Sequence, residues 1–132
     1  MANSINWAAT PVIGAGVLSA ANNVYDGSGT LVTLVSAVAA TTLVYAWEAI
    51  ATGATSASGG HLILVRVSGG IRYVVDSALI PPSITPSGTV APARIVRVRS
   101  ELNPLVLSSG DSLGAYVTIA NPFHVRIYGA QQ

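Results

Sequence analysis

TTLVYAWEAIATGATSASGGHLILVRVSGGIRYVVDSAL, residues 41–79, decides the fold. Three runs rich in Val, Ile, Leu and aromatics, at 41–51, 61–67 and 71–79, are separated by a Gly/Ser/Thr loop at 52–60 and a tight Ser68-Gly69-Gly70 turn. Runs of this composition at such short spacing predict antiparallel strands of an all-β domain. Alternation places Leu43, Tyr45 and Trp47 on one face of the first run and Val44, Ala46 and Glu48 on the other. In the second run His61, Ile63, Val65 and Val67 oppose Leu62, Leu64 and Arg66. In the third Ile71, Tyr73 and Val75 oppose Arg72, Val74 and Asp76, which brings Arg66, Arg72 and Asp76 within reach of one another across a hairpin.

The flanks continue the pattern. Residues 2–12 read as an extended arm in which Ile5, Trp7 and Ala9 alternate with Ser4, Asn6 and Ala8 until Pro11 interrupts any ladder. Trp7 wants burial, either on its own domain or on a neighbouring subunit. Residues 15–21 offer a short strand, 22–29 a dense turn cluster, and 30–37 a strand apolar on both faces. Four prolines at 81, 82, 86 and 92 make residues 80–92 a long crossing connection rather than a central strand. Short strands follow at 93–100, 105–107, 112–120 and 123–128, the first carrying Arg97 and Arg99 side by side. Eight or so strands with long connections predict a single antiparallel β-sandwich of jelly-roll type at 14–132, preceded by an extended N-terminal arm at 1–13.

The chain has 132 residues, enough for one core, yet only 8% are charged against 51% apolar. An ordinary soluble domain carries about 25% charged residues. Other subunits are therefore expected to cover much of the surface. All six basic residues are Arg, the cation that tolerates interfaces best, and none precedes residue 66. Asp26 and Glu48 give the first half a charge of −2, and six Arg against Asp76, Glu101 and Asp111 give the second +3. So mild an asymmetry suits docking in register and is far from a nucleic-acid-binding signature. The 21 uncharged residues between Asp26 and Glu48 are long enough to span a bilayer, but their glycines and threonines and the flanking acids argue for strands. No leader of the secretory type is evident, and no membrane partner is expected.

Catalytic and metal signatures are missing from the sequence. With no Cys, neither disulfides nor thiolate ligands are available. His61 and His124 stand in alternating strands without HxH or HExxH spacing to Asp76 or Asp111, no Ser is framed as GxSxG, and the absence of Lys excludes a Walker site. Five scattered acids make a poor glycosidase pair. Arg94, Arg97 and Arg99, with Glu101 nearby, form the densest charge cluster, better suited to an acidic protein surface than to a nucleic acid.

INWAATP at 5–11, AANNVYDGSGTLVTLVSA at 20–37, AIATGATSASGGHLILVRVSGG at 49–70 with an IPP-containing connection, and SLGAYVTIANPFHVRIYGA at 112–130 resemble a family of small virion proteins of tailed bacteriophages and prophages. The AVAATT loop at 37–42 and the VSGG turn depart from that family's usual turns without altering the implied fold. The resemblance implies a non-enzymatic capsid decoration, or cement, protein on the outer surface of the phage head. Its implied partners are the major capsid protein and further copies of itself as a dimer or trimer, and no cofactor is implied. Ile5, Trp7, Arg97 and Arg99 are the expected contact residues. A tail, neck or fibre-head module binding a receptor or glycan through loops such as 52–60 is the alternative.

Overall fold

The computed structural model describes residues 12–99 and 103–131. Nine strands form, β1 (Val12–Leu18), β2 (Val32–Val35), β3 (Thr42–Ala51), β4 (His61–Ser68), β5 (Ile71–Leu79), β6 (Arg94–Val98), β7 (Leu105–Leu107), β8 (Ser112–Val117) and β9 (Phe123–Gln131), and no helix occurs among the described residues. They build two antiparallel sheets packed face to face, the expected β-sandwich. The first has the order β1-β9-β3-β6, with β7 beside β6 on the same edge of β3; the second has the order β2-β8-β4-β5. The pairings are nested. β4 pairs with β5, β3 with β6 and β7, β2 with β8 and β1 with β9, so the chain is one long hairpin rolled until β3 also meets β9 and β4 meets β8.

Between the sheets lie Trp47 and Phe123, closed in by Leu18, Val44, Val125 and Ile127 from the first sheet and Leu34, Leu62, Leu64, Leu113 and Val117 from the second. Each large apolar side chain fully removed from water contributes about 1.5–3 kcal/mol, so this layer is the main source of stability. A smaller cluster sits on the outer face of the second sheet, where Ile63, Val65 and Tyr116 are buried against Val24 and Leu31. Residues 20–31 lie across that face and are fastened there. Gly27 N–H donates to the Tyr116 hydroxyl at 3.1 Å, Arg72 Nη1 donates to the Gly27 and Gly29 carbonyls, and Asn22 Nδ2 donates to the Ser28 and Thr30 carbonyls. Burial pushes the Tyr116 hydroxyl up, so it stays a protonated group at neutral pH.

Two bulges correct the simple parity. In β3 the register against β9 shifts between Val44 and Ala46, so Val44 and Trp47 both point into the core instead of to opposite faces. In the β4–β5 hairpin it shifts between Leu64 and Val65, and Asp76 opposes inward Leu64 while Val74 opposes outward Val65. Arg66, Arg72 and Asp76 consequently do not meet. Arg66 bridges to Asp111 at 2.7 Å, Arg72 holds the 20–31 segment, and Asp76 turns to Arg97. The turn itself is as expected: Gly69 and Gly70 both have positive φ, 59° and 80°, the requirement of a two-residue hairpin whose twist suits its strands.

The ends of the sandwich are tied by buried polar groups. Asp111, at one end, accepts from Arg66 and from Ser108 N–H at 2.9 Å; burial alone would raise its carboxyl, but these hydrogen bonds and the Ser68 hydroxyl hold it below the usual carboxylate range. At the other end Asn121 accepts from Ser56 N–H at 2.7 Å and donates to the Gly59 and Ile119 carbonyls, while the Thr55 hydroxyl donates to the Pro81 carbonyl at 2.6 Å. Loop 52–60 is thereby held to the start of the proline-rich connection, and that connection carries the chain from the second sheet to the first.

Candidate protein interface

The outer face of the first sheet has no described segment across it comparable to residues 20–31. Its register builds rows of side chains: Val98, Ala46, Tyr128 and Val12; then Val96, Glu48, Arg126 and Ala15; then Arg94, Ile50, His124 and Val17. Glu48 sits at the centre, only 8% exposed although it stands on an outer face. Tyr128 Oη donates to its Oε1 at 2.7 Å and Arg94 Nη2 to its Oε2 at 2.8 Å. The Tyr128 hydrogen bond is the largest influence lowering the Glu48 carboxyl, ahead of the opposing effect of burial and the help of Arg94 and Arg126. The same bond pushes the Tyr128 hydroxyl up. Ala46, Glu48, Arg94, Val96, Val98 and Tyr128 line a depression of about 450 Å³ there. Val96 and Val98 remain about half exposed, as do Val12 and Val17 at the opposite edge.

A second surface runs along the side where β5 and β6, edge strands of the two sheets, lie near each other. Each pairs with one described strand only, β5 with β4 and β6 with β3. Ile71, Tyr73, Val74 and Leu79 of β5 are exposed, Leu79 at 72%. A cleft of about 560 Å³ between the two edges is lined by Ser77, Leu79, Pro81, Ile95, Val96 and Arg97. Here the sheets are joined by one carboxylate. Asp76 accepts from Trp47 Nε1 at 2.8 Å and from Arg97 Nη2 at 3.0 Å; burial would raise its carboxyl, but the two donors hold it low.

Of the expected contact residues, Ile5 and Trp7 lie outside the described residues. Arg97 is on this β5–β6 side, its guanidinium shared between Asp76 and the Ser77 carbonyl and its side chain still 48% exposed. Arg99 follows the last residue of β6, its N–H donating to the Tyr45 carbonyl and its Nε to the Asn103 carbonyl. Arg94, grouped with them by sequence, faces the other way, because odd positions of β6 point between the sheets and even ones out. The Glu48–Tyr128–Arg94 cluster went unseen in the sequence, since its three members come together only through the register of β3 with β6 and β9.

His61 packs edge-on against Tyr25 with ring centroids 5.4 Å apart, and His124 is exposed on the outer face of the first sheet. No group of three or more metal-ligating side chains occurs among the described residues. Glu48 and Asp76, both engaged by donors and both low in pKa, are poorly placed to accept a proton near neutrality. Both surfaces present exposed apolar side chains, and the second also presents strand edges. No known protein family model and no curated protein matches the chain.

Proposed function

We propose that the chain is a non-enzymatic structural component of a tailed-phage virion, a decoration protein on the outer surface of the head that bridges major capsid protein subunits. The observation that carries this reading is β5, a nine-residue strand that pairs with β4 alone among the described strands and whose Ile71, Tyr73, Val74 and Leu79 stand exposed. A long apolar edge is a template for pairing with another chain, and a protein made in quantity needs it covered in its working state. The low charge of the chain agrees, and Arg97 and Arg99 border the same side. The strand order supports the jelly-roll form of sandwich: a single rolled hairpin with sheets β1-β9-β3-β6 and β2-β8-β4-β5 follows the double Greek-key pattern. Many weakly held copies would stabilise a shell by adding binding energy only to its assembled state.

Cosedimentation of the purified protein with undecorated heads tests this, read as copies bound per head. Saturable binding in large, symmetry-related numbers is expected, lost when Ile71 and Leu79 are both replaced by Asp in a variant that keeps the parent's circular dichroism. Binding of a few copies or none overturns the decoration role and moves the protein to the neck, tail or fibre.

A further inference from the structure

We infer that the outer face of the first sheet docks an acidic segment of another protein, whose carboxylates meet Arg94 and Arg126 while apolar side chains beside them cover Val96 and Val98. The two arginines stand on either side of Glu48, Arg94 on β6 and Arg126 on β9, with β3 between them. Arg94 Nη2 donates to Glu48 Oε2, Tyr128 Oη donates to Oε1, and Arg126 donates in turn to the Tyr128 hydroxyl. Four side chains from three strands thus form one network around a carboxylate that water barely reaches. A long cation loses conformational entropy when a partner fixes it, and this network has fixed both in advance. The bond to Glu48 uses one of the five N–H groups of the Arg94 guanidinium, and the Arg94 side chain remains largely exposed.

Charge and shape select the occupant. Two arginines against one sunken acid leave this face positive, and among the described residues no other acid stands on it. Next to the arginines lies the depression of about 450 Å³, bordered by Ala46, Val96, Val98 and the Tyr128 ring. Apolar walls beside a pre-ordered arginine make a contact that excludes water around an ion pair. An extended segment with an acid at i and an apolar residue at i+2 spaces the two about 7 Å apart, the same step that separates Arg94 from Val96 along β6. A second copy of this chain has little acid to offer. Of the described acids, Glu48, Asp76 and Asp111 are each bound to an arginine of their own chain, and Asp26 lies beside Arg72 on the opposite outer face. A nucleic acid would ask for a longer row of cations than two arginines over a floor of valines. The face is on the other sheet from β5 and so gives the protein a second contact surface.

The test is a titration of the full chain, labelled at valine methyls and arginine Nε–H groups, with the octapeptide ESVSESVS and its cationic counterpart KSVSKSVS. Saturable shifts at Val96, Val98, Arg94 and Arg126 are expected with the acidic peptide, weakening as salt is added, and none with the cationic one. An Arg94→Gln/Arg126→Gln variant that keeps the parent's circular dichroism should bind the acidic peptide about tenfold more weakly, the worth of one charge-assisted hydrogen bond. An equal response to both peptides would overturn the acidic character of the partner. Shifts elsewhere, or none at millimolar peptide, would overturn the face as the site. The same signals moving when the protein alone is diluted would give the face to a second copy. Docking here does not rest on the virion assignment: it is read on the free protein, and a failure to bind heads leaves the titration as it is.

Discussion

Replacing Asp76 by Ala should destabilise the protein by about 2–3 kcal/mol, most of it through Trp47. The indole is 2% exposed and gives its N–H to Asp76 at 2.8 Å. Removing the acceptor leaves a buried donor unpaired, at a cost of about 1–3 kcal/mol. The ion pair with Arg97 adds less, about 0.2–1 kcal/mol, because the guanidinium is half exposed and salt screens it. With an unfolding entropy of about 2.1 cal/mol/K per residue over this length, the sum lowers Tm by about 7–11 °C. Asp76→Asn keeps an acceptor for the indole and should lose about half as much. Calorimetry of Asp76→Ala, Asp76→Asn, Arg97→Ala and the Asp76→Ala/Arg97→Ala double variant separates the contributions. A small coupling between the two positions is expected. If Asp76→Ala moved Tm no further than Arg97→Ala does, the indole would not be drawing on this carboxylate and the reasoning would fail.

Asn121→Ala should cost about 2–4 kcal/mol, since it strips partners from Ser56 N–H and from two carbonyls in a residue 1% exposed, and limited proteolysis should then cut loop 52–60 first. Gly129→Ala should cost on the order of 1–3 kcal/mol or prevent folding, because a Cβ there would run into the Leu43 carbonyl oxygen next to the β3 bulge; urea unfolding measures it. Acid should destabilise the fold in a defined window. Glu48, Asp76 and Asp111 all have folded-state values below 4.5, 3.8 and 3.8, so the unfolded chain binds their protons more tightly. Their stabilisation is complete above about pH 5 and drains away as pH falls through the folded values, and the Asp76→Asn variant should show a shallower decline of Tm over that range.

The strands were legible because their composition and turns are local properties. The runs at 41–51, 61–67 and 71–79 became β3, β4 and β5, and the Gly-Gly turn announced its hairpin. What alternation missed was where it breaks. Nothing in VYAW or VVDS marks Tyr45 or Val75 as the extra residue of a bulge, because a bulge is a mismatch between two strands and the partner's register is not written in either one. Each displaced residue flips every side chain beyond it, which is how Asp76 left Arg72 and came to face Trp47. The burial of Glu48 was hidden for a related reason. An acid in the polar slot of a strand reads as solvated until three strands stand side by side and Tyr128 and Arg94 are seen to close over it.

The nested pairing also sets the order in which the protein can be made. β1 has no place in its sheet until β9 exists, since Val12 and Leu18 find their partners at Tyr128 and Phe123, far along the sequence. β2 likewise waits for β8, and only the β4–β5 hairpin closes from neighbouring sequence. During synthesis the β4–β5 hairpin therefore trails unmatched apolar strands, and the sheets are completed only after β8 and β9 have been made. Folding on the millisecond-to-second scale follows from that geometry, with the hairpin as the natural nucleus and with truncation near residue 123 as damaging as any change in the core.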